Sequence, residues 1–138
     1  MYIRSDEHQL MHDSLVRAAA KALEKKGYCV TADHVIGWEG DGEGKRPSYI
    51  GDYIPDIIAS KKPDGRIIIV EAETEDTYNS SQTESQLRAF GRQGDDKFSG
   101  CNINVCVLVP GEVEGNMKEK LNEWGLTLIN VNPDWESL

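Results

Sequence analysis

Apolar and polar positions along the chain alternate in blocks that predict eight helices and strands. In residues 5–27, apolar side chains recur three or four positions apart, which is the period of an amphipathic helix. Ser5 can cap the start of this helix, and Gly27 suits its end. The packing stripe that the period predicts comprises Met11, Leu15, Ala18 and Ala22, with Ala19 and Leu23 beside it.

The other blocks predict five strands and two helices. Apolar runs rich in β-branched residues predict strands at residues 28–38, 54–60, 66–73, 102–110 and 126–132. Periodic segments predict helices at residues 80–93 and 116–125. In the first of these, Ser81 and Glu84 have the spacing of a capping box, and Leu87 and Phe90 share a face. The order α-β-β-β-α-β-α-β predicts an α/β sandwich whose central mixed sheet starts with an antiparallel hairpin and continues with parallel crossovers.

The length of 138 residues suits a single domain spanning residues 1–138. The glycine-rich residues 39–53 lack apolar periodicity and predict a long loop, and loops of this length are commonly functional. Lys45 and Arg46 in this loop are candidate contacts for substrate phosphates. A plain solvated loop is the alternative.

Three carboxylates stand at the ends of two apolar strands that are joined by the turn signal "KKPDG". If residues 62–65 form the loop of a hairpin, Asp56 lies directly opposite Glu71, and Glu73 is on the same face. The preceding pairs in this register are Ser60 with Ile67 and Ile58 with Ile69. A slip of one residue would break the arrangement, so the site depends on this register.

Both faces of the predicted hairpin are apolar. The face of the acids carries Ile58, Ile67 and Ile69, and the opposite face carries Ile57, Ala59, Ile68 and Val70. Opposed carboxylates repel each other, and burial increases that cost. A divalent cation such as Mg²⁺ would relieve the repulsion and could orient and activate water. The alternative is that the strand ends emerge into solvent and the acids are hydrated.

The segment that begins "PDIIA" and continues through a turn and a second apolar strand to "EAE" resembles the PD-(D/E)xK nuclease superfamily, which includes restriction endonucleases, archaeal Holliday-junction resolvases and RecB-type exonucleases. The resemblance covers about residues 5–109. It implies a restriction-endonuclease-like three-layer sandwich around a central mixed sheet. The segment from Gln86 to Phe90 is also similar to the Q-x-x-x-Y element of RecB-type nucleases, with phenylalanine in place of tyrosine.

By this resemblance, Asp56 and Glu71 are metal ligands together with the Ala72 carbonyl, and Mg²⁺, with Mn²⁺ as a substitute, is the expected cofactor. Glu73 stands where most members have lysine, so this side chain can act only as a general base or as a metal ligand. Some restriction enzymes of the superfamily also carry E-x-E. Gln86 is expected to position the substrate or the attacking water.

The resemblance also implies basic residues and a further acid around the site. In several families of the superfamily an acid from the first helix completes the site, and Glu7 and Asp13 are both candidates. A basic residue that replaces the missing lysine can lie on the next helix, where Arg88 is the candidate. The candidate DNA contacts are Lys45, Arg46, Arg88 and Arg92.

Two histidines on the first helix, His8 and His12, are four positions apart, a spacing that can bind a metal. Because no H-E-x-x-H motif is present, we expect them to be ordinary surface or interface residues. Cys29, Cys101 and Cys106 lack the spacing of a zinc site or a disulfide framework. Two of the three cysteines lie in apolar segments and are expected in the core.

The formal net charge of −9 argues against a general nucleic-acid coat, because phosphates would be repelled overall. No apolar run approaches the ~20 residues that cross a bilayer, and the first ten residues lack the apolar core of a secretory signal. A cytoplasmic location without a membrane partner is therefore expected.

The resulting hypothesis is a Mg²⁺-dependent deoxyribonuclease that acts in DNA repair, recombination or restriction, with DNA as its partner and a homodimer as its expected state. One alternative is a catalytically inactive binding module with the nuclease fold, favoured by the missing lysine and the acidic charge. The other is an acidic domain that binds a protein partner.

Overall fold

The computed structural model of the protein describes residues 6–32, 47–62, 65–98 and 100–137. Its helices and strands are, in chain order, α1 (Asp6–Lys25), β1 (Cys29–Ala32), β2 (Ile57–Lys61), β3 (Arg66–Ala72), α2 (Ser81–Lys97), β4 (Asn102–Leu108), α3 (Glu114–Glu123) and β5 (Asn130–Val131). Short 3-10 helices occur at Gly111–Val113 and Trp135–Ser137. The observed order α-β-β-β-α-β-α-β confirms the predicted one.

The described residues form one five-stranded mixed sheet in which the strands follow their order in the chain. Strand β2 pairs antiparallel with β1 and with β3. Strand β4 pairs parallel with β3 and with β5. An antiparallel hairpin followed by parallel crossovers is the predicted topology, which confirms the α/β class.

Helices cover both faces of the sheet. Helix α1 packs on one face, where Val16 and Leu23 join Ile57 and Val70 in a single apolar cluster. Helices α2 and α3 pack on the other face, in a cluster with Ile69 and its neighbours. Two-sided burial explains why the central strands are almost continuously apolar instead of alternating.

The register of the β2–β3 hairpin is the predicted one, with Ile58 opposite Ile69 and Ser60 opposite Ile67. The division of its side chains between the two faces is also confirmed. Ile57, Ala59, Ile68 and Val70 belong to the α1 cluster, whereas Ile58, Ile67 and Ile69 belong to the other cluster. The strand ends that carry the acids therefore meet at one end of the sheet.

The packing face of α1 differs from the predicted stripe. Met11 is 41% exposed and Ala18 is also exposed, so neither contributes to the core. The buried positions are His12, Val16, Ala19, Ala20 and Leu23. This stripe still has a helical period, but its first residue is polar and is therefore missing from the pattern of apolar positions.

Two helices end in Schellman motifs at the predicted glycines. Gly27 and Gly125 have φ values of 91° and 73°, which an L-amino acid with a side chain rarely adopts. The amide of Tyr28 donates to the Leu23 carbonyl, and the amide of Leu126 donates to the Leu121 carbonyl, as this motif requires.

The cap of α2 lies one residue before the predicted capping box. Ser80, not Ser81, accepts a hydrogen bond from the amide of Thr83 at 3.1 Å. Glu84 instead pairs with Arg88 one turn later. Helix α2 also continues four residues beyond its predicted end at residue 93.

Two predicted strands differ most in length from those of the structure. Strand β5 covers only Asn130–Val131 of the predicted 126–132, because Leu126 completes the end of α3 and Leu128 is 93% exposed. Strand β1 is described at Cys29–Ala32, and residues 33–38 of its predicted range, like most of the predicted loop, fall outside the described residues. Among the helices that the structure describes, none has the length and apolar character to cross a membrane.

Candidate active site

Asp56 and Glu71 meet at one end of the sheet, because Asp56 immediately precedes β2 and Glu71 is the next-to-last residue of the antiparallel partner strand β3. The backbone amide of Asp56 donates a hydrogen bond to Glu71 Oε1 at 3.0 Å. This contact continues the hairpin register by one residue beyond its last described pair, Ile57 with Val70. The structure thus brings together the two acids that the sequence predicts to be opposed.

One oxygen of the Asp56 carboxylate is held by two partners. Oδ2 accepts a hydrogen bond from the Ala72 amide at 2.8 Å and lies 3.1 Å from Nε2 of His12. The two partners approach from different elements, since Ala72 ends β3 and His12 belongs to α1. The Asp56 carboxylate also makes a side-chain hydrogen bond with Glu71.

His12 is buried between two carboxylates, so a surface location, one of the two that were predicted for it, is wrong. Its side chain is part of the packing stripe of α1 and the residue is 8% exposed. Its Nδ1 lies 3.1 Å from Asp13 Oδ1, and that same oxygen accepts a hydrogen bond from Gln9. A neutral imidazole has a single N–H, so donation to Asp13 and Asp56 together requires the doubly protonated ring.

The two central acids have opposite shifts of pKa. Burial raises the pKa of Asp56, but the hydrogen bond and charge of His12 and the amide of Ala72 outweigh it and hold the pKa below its ordinary value of 3.8. Burial raises the pKa of Glu71 well above 4.5, and the charges of Asp56 and Glu73 add to this effect. At pH values between these two shifted pKa values, the pair holds an ionised Asp56 beside a protonated Glu71.

Glu73 is fully buried and bonds to the segment that follows β3. Thr77 Oγ1 donates to Glu73 Oε2 at 2.6 Å and accepts from the Thr74 amide at 3.0 Å. Thr83 of α2 in turn donates to the Thr77 carbonyl at 2.7 Å. Glu73 thus contributes its charge to the environment of Glu71 from a position that threonines tie to the start of α2.

Gln86 lies on α2, one turn after Thr83 and one turn before Phe90, both of which are buried. Its side-chain oxygen Oε1 is buried and has no hydrogen-bond partner among the described residues. A buried acceptor of this kind normally has a partner, in protein or in water. Gln86 therefore offers a buried acceptor to an external donor.

The two candidate acids of the first helix have different surroundings. Asp13 reaches the site through His12. Glu7 is exposed and lines a groove of about 330 Å³ together with Leu10, Met11 and Pro110. The geometry selects Asp13 as the acid connected to the central pair, although the connection is indirect.

The candidate basic residues lie away from these contacts. Arg88 donates to Glu84 Oε2 at 2.6 Å and to the Trp124 carbonyl at 3.0 Å, which ties α2 to the end of α3. Arg92 is exposed and lines, with Arg88 and Asn104, a groove of about 460 Å³. Two further candidates, Lys45 and Arg46, lie outside the described residues.

Comparisons with protein-family models, curated proteins and solved structures gave no match to this chain.

The oxygen atoms of Asp56, Glu71 and Ala72 are the possible ligands for a divalent cation at this site. In the described ranges, no group of three His, Cys, Asp or Glu side chains is placed to hold a metal. Asp56 and Glu71 offer two carboxylates, and the Ala72 amide points toward Asp56, so the carbonyl of this extended residue lies on that side of the strand as well. Two carboxylates, one carbonyl and waters are a fitting set for Mg²⁺, which usually retains several waters.

Proposed function

We propose that this protein is a Mg²⁺-dependent deoxyribonuclease of the PD-(D/E)xK type with an E-x-E variant of the motif. The observation that carries the proposal is the contact between Asp56 and Glu71 at the end of a buried hairpin. Burial, and after it the charge of Asp56, raises the pKa of Glu71, and a cation would offset both effects. The resemblance to the PD-(D/E)xK nucleases directs the proposal to phosphodiester hydrolysis, one of the reactions that a bound divalent cation can catalyse.

In this proposal Asp56, Glu71 and the Ala72 carbonyl hold the cation, which supplies water activation and neutralises charge on the phosphodiester. A bound cation would favour the ionised form of Glu71, because its charge would counter the burial and the charge of Asp56 that raise the pKa of this group. Asp56 is already ionised and oriented by its two partners. The buried oxygen of Gln86 is the acceptor available to orient water or substrate.

Glu73 supports a second candidate, a binding module with the nuclease fold and no hydrolytic activity. In most members of the superfamily this position carries lysine, whose positive charge stabilises the transition state. Here the carboxylate is completely buried and accepts a hydrogen bond from Thr77. A site in this form could bind a cation and DNA without cleaving the strand.

A cleavage panel tests the enzymatic proposal. Linear duplex, branched and single-stranded DNA would be incubated with the protein in Mg²⁺, in Mn²⁺ and in chelator. We expect cation-dependent cleavage of at least one substrate, and its loss in the Asp56→Asn and Glu71→Gln variants. Asp52→Asn and Glu75→Gln serve as matched controls, because both acids are exposed and near the site in sequence. Equal cleavage by all four variants would contradict the assignment.

Calorimetry with Mg²⁺ and Mn²⁺ separates the enzyme from the inactive module. Cation binding that depends on Asp56 and Glu71, without cleavage of any DNA in the panel, would favour the module. DNA binding that weakens steeply with salt would support either nucleic-acid function over an acidic domain that binds a protein.

A further inference from the structure

We propose that His12 and Asp13 form a positioning pair that orients Asp56 for the cation, and that Asp13 acts through His12 without itself being a ligand. The inference rests on the proposed metal site and assigns the role of α1 in it. It differs from the expectation that an acid of the first helix completes the metal site directly.

The pair is a continuous series of contacts from the surface of α1 to the acids. Gln9 Nε2 donates to Asp13 Oδ1 at 2.8 Å, and Asp13 Oδ1 lies 3.1 Å from His12 Nδ1. The other ring nitrogen, Nε2, lies 3.1 Å from Asp56 Oδ2. Both nitrogens are thus engaged, and the contact with Asp13 determines the orientation of the ring, as carboxylate–histidine pairs do beside many metal ligands.

The location of His12 argues for a specific role. It occupies the first position of the buried stripe of α1, in line with Val16 and Leu23, where an apolar side chain would pack without the cost of burying a polar ring. The ring is partnered by two carboxylates from different parts of the chain. A histidine at this position supplies a directed N–H to Asp56, which a valine or leucine cannot.

The effect on Asp56 is geometric. Oδ2 is held from two directions, by His12 from the helix and by the Ala72 amide from the strand. Two donors on one oxygen restrict rotation of the carboxylate plane and so determine where Oδ1 lies. Without His12, the Ala72 amide and the side-chain hydrogen bond with Glu71 would remain, and the orientation of the carboxylate would be less restricted.

The position of Asp13 argues against direct ligation. Its Oδ1 already contacts Gln9 and His12, and the ring of His12 lies between it and Asp56. Ligation through Oδ1 would require the Asp13 side chain to leave both partners. The structure therefore assigns Asp13 to the orientation of the imidazole.

The test is calorimetric titration of Mn²⁺ into the full chain and its variants, with circular dichroism to verify folding. We expect His12→Ala to weaken Mn²⁺ binding by about 10- to 100-fold, the usual effect of removing a partner of a metal ligand. His12→Gln is expected to recover part of the affinity, because its amide can donate to Asp56. Asp13→Asn is expected to have a smaller effect, and the His12→Ala, Asp13→Asn double variant to match His12→Ala alone. His8→Ala, one turn earlier on the same helix and half-exposed, is the matched control.

The rate of cleavage at increasing Mn²⁺ concentration is a measurement that a purely structural role of His12 would not change. High Mn²⁺ should restore the rate of His12→Ala but not that of Asp56→Asn, since only the latter loses a ligand. Unchanged Mn²⁺ affinity in His12→Ala would overturn the positioning role, and a loss in Asp13→Asn as large as in Asp56→Asn would make Asp13 a ligand. If wild type and Asp56→Asn behave alike toward Mn²⁺, the proposed function itself fails, and the positioning role fails with it.

Discussion

The imidazole of His12 and the carboxylate of Asp56 lie 3.1 Å apart although 44 positions separate them in the chain. The contact joins the first helix to the hairpin that carries the acids. It places a potential positive charge beside a group of carboxylates. The pKa of Asp56 is lowered as a consequence, while that of Glu71 is raised.

Replacing Glu71 with glutamine is expected to stabilise the fold in the absence of divalent cations, most strongly at neutral and higher pH. The folded protein keeps a proton on Glu71 at pH values where the unfolded chain has released it. Wild-type stability therefore falls as pH rises from about 4.5 through the raised pKa. Glutamine has no proton to lose, so we expect a gain of about 1 kcal/mol at neutral pH and little gain in acid.

Urea unfolding across a range of pH measures this effect. The exposed Glu75→Gln variant is the control and should follow wild type throughout. A Glu71→Gln variant that is destabilised equally at every pH would contradict the prediction, because the glutamine would then act only through packing.

Replacing Ser80 with alanine should cost about 0.5–2 kcal/mol of stability, because the amide of Thr83 loses its capping acceptor. Ser81→Ala is the matched control, since its side chain is exposed at the next position. Thermal or chemical unfolding of the two variants shows which of the two serines caps α2. A larger loss for Ser81→Ala would restore the predicted capping box.

In the native protein, Cys29 and Cys101 should react with a thiol reagent and Cys106 should not. The first two side chains are exposed, whereas burial in the sheet raises the pKa of Cys106 to about 12. Reagent titration should count two thiols in the folded chain and three in denaturant. Cys106→Ser should leave the native count unchanged, and a native count of three would show that the sheet opens readily.

Replacing Phe90 with alanine should destabilise the fold by about 3–5 kcal/mol, because the ring is fully buried between α2 and the sheet. The ring also makes an edge-to-face contact with Tyr53, at 6.5 Å between centroids. Phe90→Leu should cost less, since it leaves a smaller cavity. Arg92→Ala, exposed on the same helix, should be nearly neutral in the same denaturant titration.

The hairpin and its acids are predictable from sequence because one loop determines every pair. A four-residue connection between two apolar runs sets Ile58 opposite Ile69, and the same register brings Asp56 to Glu71. The class of the fold follows from the order of the elements. None of these inferences requires knowledge of how the helices are rotated.

The partners of the acids depend on that rotation, which tertiary packing decides. A stripe of apolar residues on α1 omits His12, although His12, Val16, Ala19 and Leu23 have the same helical spacing. The helical spacing of a histidine with these apolar positions is the signal that could have identified His12 as buried. The choice between Glu7 and Asp13 likewise required the orientation of α1, and the bond from Thr77 to Glu73 required the path of the chain after β3.

The link between α1 and the hairpin has a consequence for the stability of the site. A local turn brings Asp56 beside Glu71, whereas the contact from His12 requires a distant segment of the chain to pack on the sheet. The geometry of the acids would then depend on how tightly α1 packs. A cavity at Leu23, at the far end of that helix, should loosen the acids even though it touches none of them.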